Sequence, residues 1–310
     1  MEPDARPRLD LDAVTLPLLL PEVPFPADRK LVDCWLGALG TAASASVRLA
    51  KRGTVPPLAV TGNTIFLAYR HYDLTGGIYA REQDTYYRPI RIGEALRVAG
   101  SIVTSYLKRG RQYRIMTSRT VDETDQTVVE STSTSVEQFL RQGADEQSSE
   151  VIPSIAAPTA VLDAGPSPCR DRLSCLVPGK VITGPETVVT LEMMQAQAGG
   201  DSRNPIHTDP EVARRAGLER PIAGGPHVLA YLQEAMMDQL GDEVLCHGAH
   251  FDVRWISPVA TDTTVSPRAT VEEVDARRVL FRLELDCDGA LAMIGKAVVP
   301  IGLSPETSKS

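Results

Sequence analysis

Cysteine is scarce in this chain, and no two of the five cysteines form a Cys-x-x-Cys pair. Cys34, Cys169, Cys175, Cys246 and Cys287 are odd in number and widely spaced, which excludes a dense disulfide framework and fits a reducing compartment. Phosphate-cradling loops are missing as well. Neither Gly-x-Gly-x-x-Gly nor a Walker sequence occurs, so no nucleotide cofactor is indicated. Positive charge is in deficit: 32 Lys and Arg stand against 40 Asp and Glu, for a net charge of −8. Without a basic-aromatic pattern, that balance argues against nucleic-acid binding. Long apolar runs are absent too. Leu16-Pro17-Leu18-Leu19-Leu20 is too short and broken for a membrane span, and no basic secretory start precedes it. The expectation is a cytoplasmic protein that engages neither nucleic acid nor membrane.

What is present begins with Gly200-Asp201-Ser202-Arg203-Asn204-Pro205-Ile206-His207. Thr190 is a good N-cap for a helix over Leu191 to Ala198, and Gly199-Gly200 leaves that helix without steric cost. Asn204-Pro205 forces extended backbone at the asparagine, so Asp201 to His207 reads as a constrained loop. Asp209 then caps a short helix with Pro210 in its first turn and Gly217 at its end. A carboxylate and an imidazole held on one such loop suit general acid–base chemistry. Asp201 capping a turn, with His207 a partly exposed loop residue, is the plainer alternative.

Downstream, Pro221-Ile222-Ala223-Gly224-Gly225-Pro226 leads into an almost wholly apolar helix from His227 to Asp238, which predicts deep burial. Its free N-terminal amides suit an oxyanion hole. His227, beside the glycines, is either a reserve acid–base group or part of the packing at the helix start.

These segments resemble the MaoC-like (R)-specific enoyl-CoA hydratases, through Gly200-Asp201, Asn204-Pro205-Ile206-His207 and Pro221-Ile222-Ala223. The resemblance implies a hot-dog fold, an antiparallel sheet wrapped round a central helix. It also implies hydration or dehydration of an acyl thioester carried by coenzyme A or an acyl carrier protein, in fatty acid or polyketide metabolism. Asp201 and His207 would then move the protons, the Gly225 N–H would polarise the thioester carbonyl, Asn204 would support the loop, and Gly224 and His227 would flank the substrate. No metal or organic cofactor is required, since coenzyme A or phosphopantetheine arrives as part of the substrate. One residue more than in the family pattern separates Asp201 from Asn204. Two other readings therefore stay open: a repurposed hot-dog protein that binds an acyl thioester or apolar metabolite without turnover, and a hot-dog thioesterase.

An internal repeat doubles the architecture. Strand-like stretches near Leu96–Tyr106, Gln112–Val121 and Gln126–Val136 are echoed by Thr263–Val274, Arg278–Cys287 and Leu291–Ile301. The predicted fold is α+β, a double hot-dog forming a pseudo-dimer within one chain. Residues 1–145 make a first unit without the motif, 146–175 a linker, and 176–310 a second unit that carries it. Thr61–Tyr72 is expected to hold the first unit's central helix, and one continuous sheet would remove an exposed edge between the units. The whole may further associate as a homodimer. Two motifs remain open. Cys246-His247-Gly248-Ala249-His250 concentrates metal-ligand types, but positions three apart on a strand face opposite sides. Lys108-Arg109-Gly110-Arg111 either meets the phosphates of the thioester carrier or is a solvated hairpin tip.

Overall fold

The computed structural model describes residues 6–137, 167–199 and 204–302, so Asp201 and the expected linker as far as residue 166 lie outside the described residues. The first half runs through strand Leu18–Ala27 (β1), helices Arg29–Leu39 (α1), Ser44–Lys51 (α2) and Asn63–His71 (α3), and strand Gly77–Tyr86 (β2). It ends in a meander of Glu94–Lys108 (β3), Arg111–Val121 (β4) and Thr127–Glu137 (β5). The second half has helix Arg170–Ser174 (α4), short strands Val181–Thr183 (β6) and Thr187–Val189 (β7), and helices Leu191–Ala198 (α5), Pro210–Arg215 (α6) and Gly225–Leu240 (α7). It closes on strands Ala249–Trp255 (β8), Thr263–Val274 (β9), Arg278–Cys287 (β10) and Ala290–Pro300 (β11).

Eleven strands among the described residues form one antiparallel sheet in the order β1-β3-β4-β5-β2-β8-β11-β10-β9-β6, with β7 also paired to β9. The halves join where β2 lies antiparallel to β8, in the register Glu82↔Val253 and Asp84↔Phe251. Helix α3 packs on β1, β3, β4 and β5, while α7 packs on β6 and β9. Each half-sheet thus wraps a helix, the double hot-dog arrangement. Pairing β2 with β8 satisfies two rows of backbone groups that separate halves would leave open.

Hairpin chemistry fixes the meanders. Arg109 (φ 51°) and Gly110 (φ 68°) turn between β3 and β4, and Asp288 (φ 50°) and Gly289 (φ 79°) turn between β10 and β11. Left-handed residues in pairs give the two-residue turn whose twist matches the flanking strands.

Three features were not marked by the sequence. Leu18–Ala27 is a strand despite Pro21, Pro24 and Pro26, because it lies at the sheet edge, where a missing N–H breaks no ladder on the open side. Helix α2 follows α1 after a single 3₁₀ turn over Gly40–Ala42. Within the span expected to link the units, α4 buries Leu173 completely in the core. Helix α2 has no side-chain cap of its own. Instead Glu234 of α7, buried in the core, accepts from the Ala45 N–H (2.5 Å), the Ser46 N–H (3.2 Å) and the Ser46 hydroxyl (2.5 Å). A carboxylate at a helix start answers both its free amides and its dipole. Among the described residues no helix is long and apolar enough to cross a membrane.

The two interiors differ in polarity. Facing α3, β2 buries Glu82 and Asp84 completely, where the paired positions on β8 are Val253 and Phe251. Asp84 accepts from Ser131 Oγ (2.5 Å), and burial pushes its carboxyl up to about 7. Burial beside Asp84 holds Glu82 well above the usual carboxylate range. As pH rises from the ordinary value of 3.8 to about 7, the unfolded chain releases the Asp84 proton while the fold retains it. Stability supplied by the protonated group is therefore lost across that window. Urea unfolding at a series of pH values should show wild type losing about 1 kcal/mol per pH unit relative to Asp84→Asn through the window, and no further difference above it.

Candidate active site

The site loop is fastened at both ends by helix caps. Thr190 Oγ1 accepts from the Met193 N–H (3.3 Å), and Gly199 ends α5 in the left-handed region (φ 63°). After the undescribed residues, Pro205–His207 makes a single 3₁₀ turn, and Asp209 caps α6 by accepting from the Glu211 (2.8 Å) and Val212 (3.2 Å) amides. Ile206, fully buried, anchors the turn in a small apolar cluster with Ala216 and Ile222.

Hydrogen bonding sets the state of His207. Its Nδ1 lies 2.7 Å from the Ile222 carbonyl, which can only accept, so Nδ1 carries the proton and Nε2 the lone pair. Burial lowers the imidazole pKa below the usual 6.5, and the Ile222 carbonyl partly opposes this. His207 is therefore neutral at pH 7. The amide of Asn204 lies 3.3 Å from Nε2 through Nδ2. Asn204 is itself clamped to the first half, accepting from the Gly76 N–H (3.0 Å) and donating to the Gly77 carbonyl (3.1 Å). A donor on one side and an acceptor on the other fix which way its amide points.

Gly224 and Gly225 begin α7, and among the described residues neither amide makes a hydrogen bond. Two cavities flank this helix start. One, of about 380 Å³, is lined by Gly225 and His207 together with Ile78, Val228, Trp255 and Val259. The other, of about 290 Å³, is lined by Gly224 and His207 together with Phe25, Trp35, Phe66 and Asn204. Ile65, Tyr69 and Tyr79 of the first half are walls of both. The Tyr79 ring packs edge-on to Trp255, with centroids 5.3 Å apart, over the Cα of Gly225.

His207, Asn204, Gly224 and Gly225 are thus brought together, while Asp201 lies outside the described residues. His227 does not line either cavity. It is fully buried, its Nε2 is 2.9 Å from the Ala38 carbonyl, its ring stacks on Tyr231, and burial lowers its pKa to about 4. The histidine fastens α7 to α1. At Cys246-His247-Gly248-Ala249-His250, His250 sits on β8 with Nδ1 2.9 Å from Thr85 Oγ1, and His247 lies in the preceding turn. Among the described residues no group of three or more His, Cys, Asp or Glu is placed to hold a metal ion.

Residues 178–283 match the family model described as the MaoC like domain. The match covers about a third of the chain and lies within its second half. Over the whole chain, structural similarity extends to a MaoC-like dehydratase (17% identity, TM-score 0.68), with 95% of this chain and 100% of that one covered. A conserved hypothetical protein from Mycobacterium tuberculosis described as having a double hotdog fold is 13% identical with a TM-score of 0.63, covering 94% and 98%. Peroxisomal multifunctional enzyme type 2 from Drosophila melanogaster is 16% identical with a TM-score of 0.65; 91% of this chain matches 48% of that enzyme. At these identities the likeness is one of fold. Comparison with the curated proteins gave no match.

The matched stretch draws part of the candidate site from outside itself. Gly76, Gly77, Tyr69 and Tyr79 were not marked by the sequence, because nothing within a few residues of them signals chemistry. They matter through contacts with residues more than a hundred positions away.

Proposed function

We propose that this chain interconverts 2-enoyl and (R)-3-hydroxyacyl thioesters by adding or removing water. The observation that carries the reading is His207. Its Nδ1 is held by the Ile222 carbonyl, its Nε2 lone pair is held only by the long contact to Asn204, and the uncommitted amides of Gly224 and Gly225 lie along the same cavities.

For dehydration, neutral His207 takes the α proton at Nε2 once substrate displaces the Asn204 contact. The thioester oxygen gains negative charge as the α carbon loses its proton, and the Gly225 N–H at the positive end of α7 stabilises it. The β carbon–oxygen bond breaks as the departing hydroxyl receives a proton and leaves as water. Asp201, assigned by the family resemblance, shares this second transfer with the imidazolium. Hydration runs through the same groups in reverse. Asn204 orients His207 and ties it to the first half.

The test is mass-spectrometric product analysis of purified protein with short and medium 2-enoyl and (R)-3-hydroxyacyl coenzyme A thioesters. A mass change of one water in either direction is the expected result. Free acid and thiol would instead identify a thioesterase, and tight binding without turnover would identify a repurposed pocket; either sinks the proposal.

A further inference from the structure

The hairpin Lys108-Arg109-Gly110-Arg111 is not used by the chemistry above, yet it stands at the cavity that contains His207. Arg111 and Tyr113 both line that cavity. Being two apart on β4, they share one face of the strand. Tyr113 stacks on Tyr106 of β3, its cross-strand partner, with centroids 5.0 Å apart and planes 7° from parallel. Both rings are partly exposed, and Tyr113 brings the stack to the wall of the cavity. Among the described residues Lys108, Arg109 and Arg111 make no ion pair. Arg109 and Arg111 are exposed. Three uncommitted cations next to a tyrosine stack are unusual on a chain of net charge −8. The nearby carboxylate of Asp12 meets Gln112, which alternates to the other face of β4. Two left-handed residues, Arg109 and Gly110, define the turn.

Cations offer phosphate oxygens charge-assisted hydrogen bonds, and an aromatic face offers a purine a stacking surface. We propose that this hairpin seats the adenosine phosphate end of coenzyme A, so that the substrate is a free coenzyme A thioester and not a thioester on an acyl carrier protein. The inference rests on the thioester reading above, and it deepens that reading by choosing the carrier. A carrier protein presents only the phosphopantetheine arm. It supplies one phosphodiester and no purine, leaving the tyrosine stack and most of the positive charge unused.

Calorimetric titration with coenzyme A and with pantetheine tests the assignment without requiring turnover. Coenzyme A is expected to bind at least about tenfold tighter, since each charge-assisted contact or stacked base contributes on the order of tenfold. The double variant Arg109→Asn, Arg111→Gln keeps a residue tolerant of the left-handed turn and should lower the ratio of the two affinities about tenfold. Tyr113→Leu should lower it by a similar factor through lost stacking. Unchanged melting temperatures would show that these variants fold. Raising the ionic strength should weaken coenzyme A binding to wild type more than to the double variant.

Equal affinities for coenzyme A and pantetheine would overturn the proposal. So would hairpin variants that bind coenzyme A as wild type does, or faster turnover of a carrier-bound enoyl group. Failure of the hydratase reading is recognised separately. If coenzyme A binds through the hairpin but no enoyl thioester gains water, the carrier assignment stands and the chemistry falls. If enoyl pantetheine and enoyl coenzyme A are hydrated with equal kcat/KM, the chemistry stands and the carrier assignment falls.

Discussion

Replacing His207 with alanine is expected to lower kcat/KM for hydration by 10²–10⁴-fold, the usual contribution of a positioned proton-transfer group. The protein should stay folded. The anchor of the loop is Ile206, buried with Ala216 and Ile222, and the caps at Thr190 and Asp209 are untouched. The pH profile of wild type follows from the tautomer. His207 acts through an unprotonated Nε2, and burial lowers its pKa below 6.5. The neutral form therefore persists to a more acidic pH than for an exposed imidazole, and activity should fall only as pH drops through that lowered value. An acid limb at or above 6.5 would contradict the assignment of His207 as the group that accepts the proton. His207→Gln should not restore the rate, because an amide cannot cycle a proton.

Gly225→Ala is the second large effect. An added Cβ would lie 2.8 Å from both Cβ and Cγ of Tyr79 and 3.0 Å from Cζ2 of Trp255. Tyr79 Cβ is held close to its own backbone and cannot swing away as the end of a long side chain would. Alanine in a helix gains about 1 kcal/mol over glycine, whereas overpacking costs about 1–3 kcal/mol, so the collision wins. Relief requires the start of α7 to move, and a displacement of about 1 Å at a reacting group costs on the order of 100-fold in rate. Gly224→Ala is the control. Its φ is −63° and an added Cβ meets nothing within 4 Å, so that variant keeps its amide and its position. The pair should differ by about two orders of magnitude in kcat. Equal rates for the two would show that the amide of Gly225 does not contact the reacting carbonyl.

Much of the fold was legible because its signals are local. Thr190, Gly199, Asp209 and Pro210 each act on the next few residues, and they mark the ends of α5 and α6 where the structure has them. The meanders were legible for the same reason, since each turn residue serves only its own hairpin. Helix α2 was not, because its cap is Glu234, 188 residues further on. Strand β1 was hidden by prolines, which are harmless only at a sheet edge, and the edge exists only once the sheet is assembled. The site divides likewise. The loop residues Asn204 and His207 were visible as a motif, but the Ile222 carbonyl that sets the tautomer, the glycines that grip Asn204 and the Tyr79 wall are products of packing.

The grip of Gly76 and Gly77 on Asn204 has a consequence for how such a chain can be divided or exchanged. Gly77 opens β2, the strand that seals the joint by pairing with β8, and the preceding residue holds the asparagine that orients the histidine. A fragment holding only the second half would lose that grip and bare the edge of β8 at once. The half without the motif therefore serves as the seat on which the other half's loop is set, and a transplant has to carry both to keep that seat.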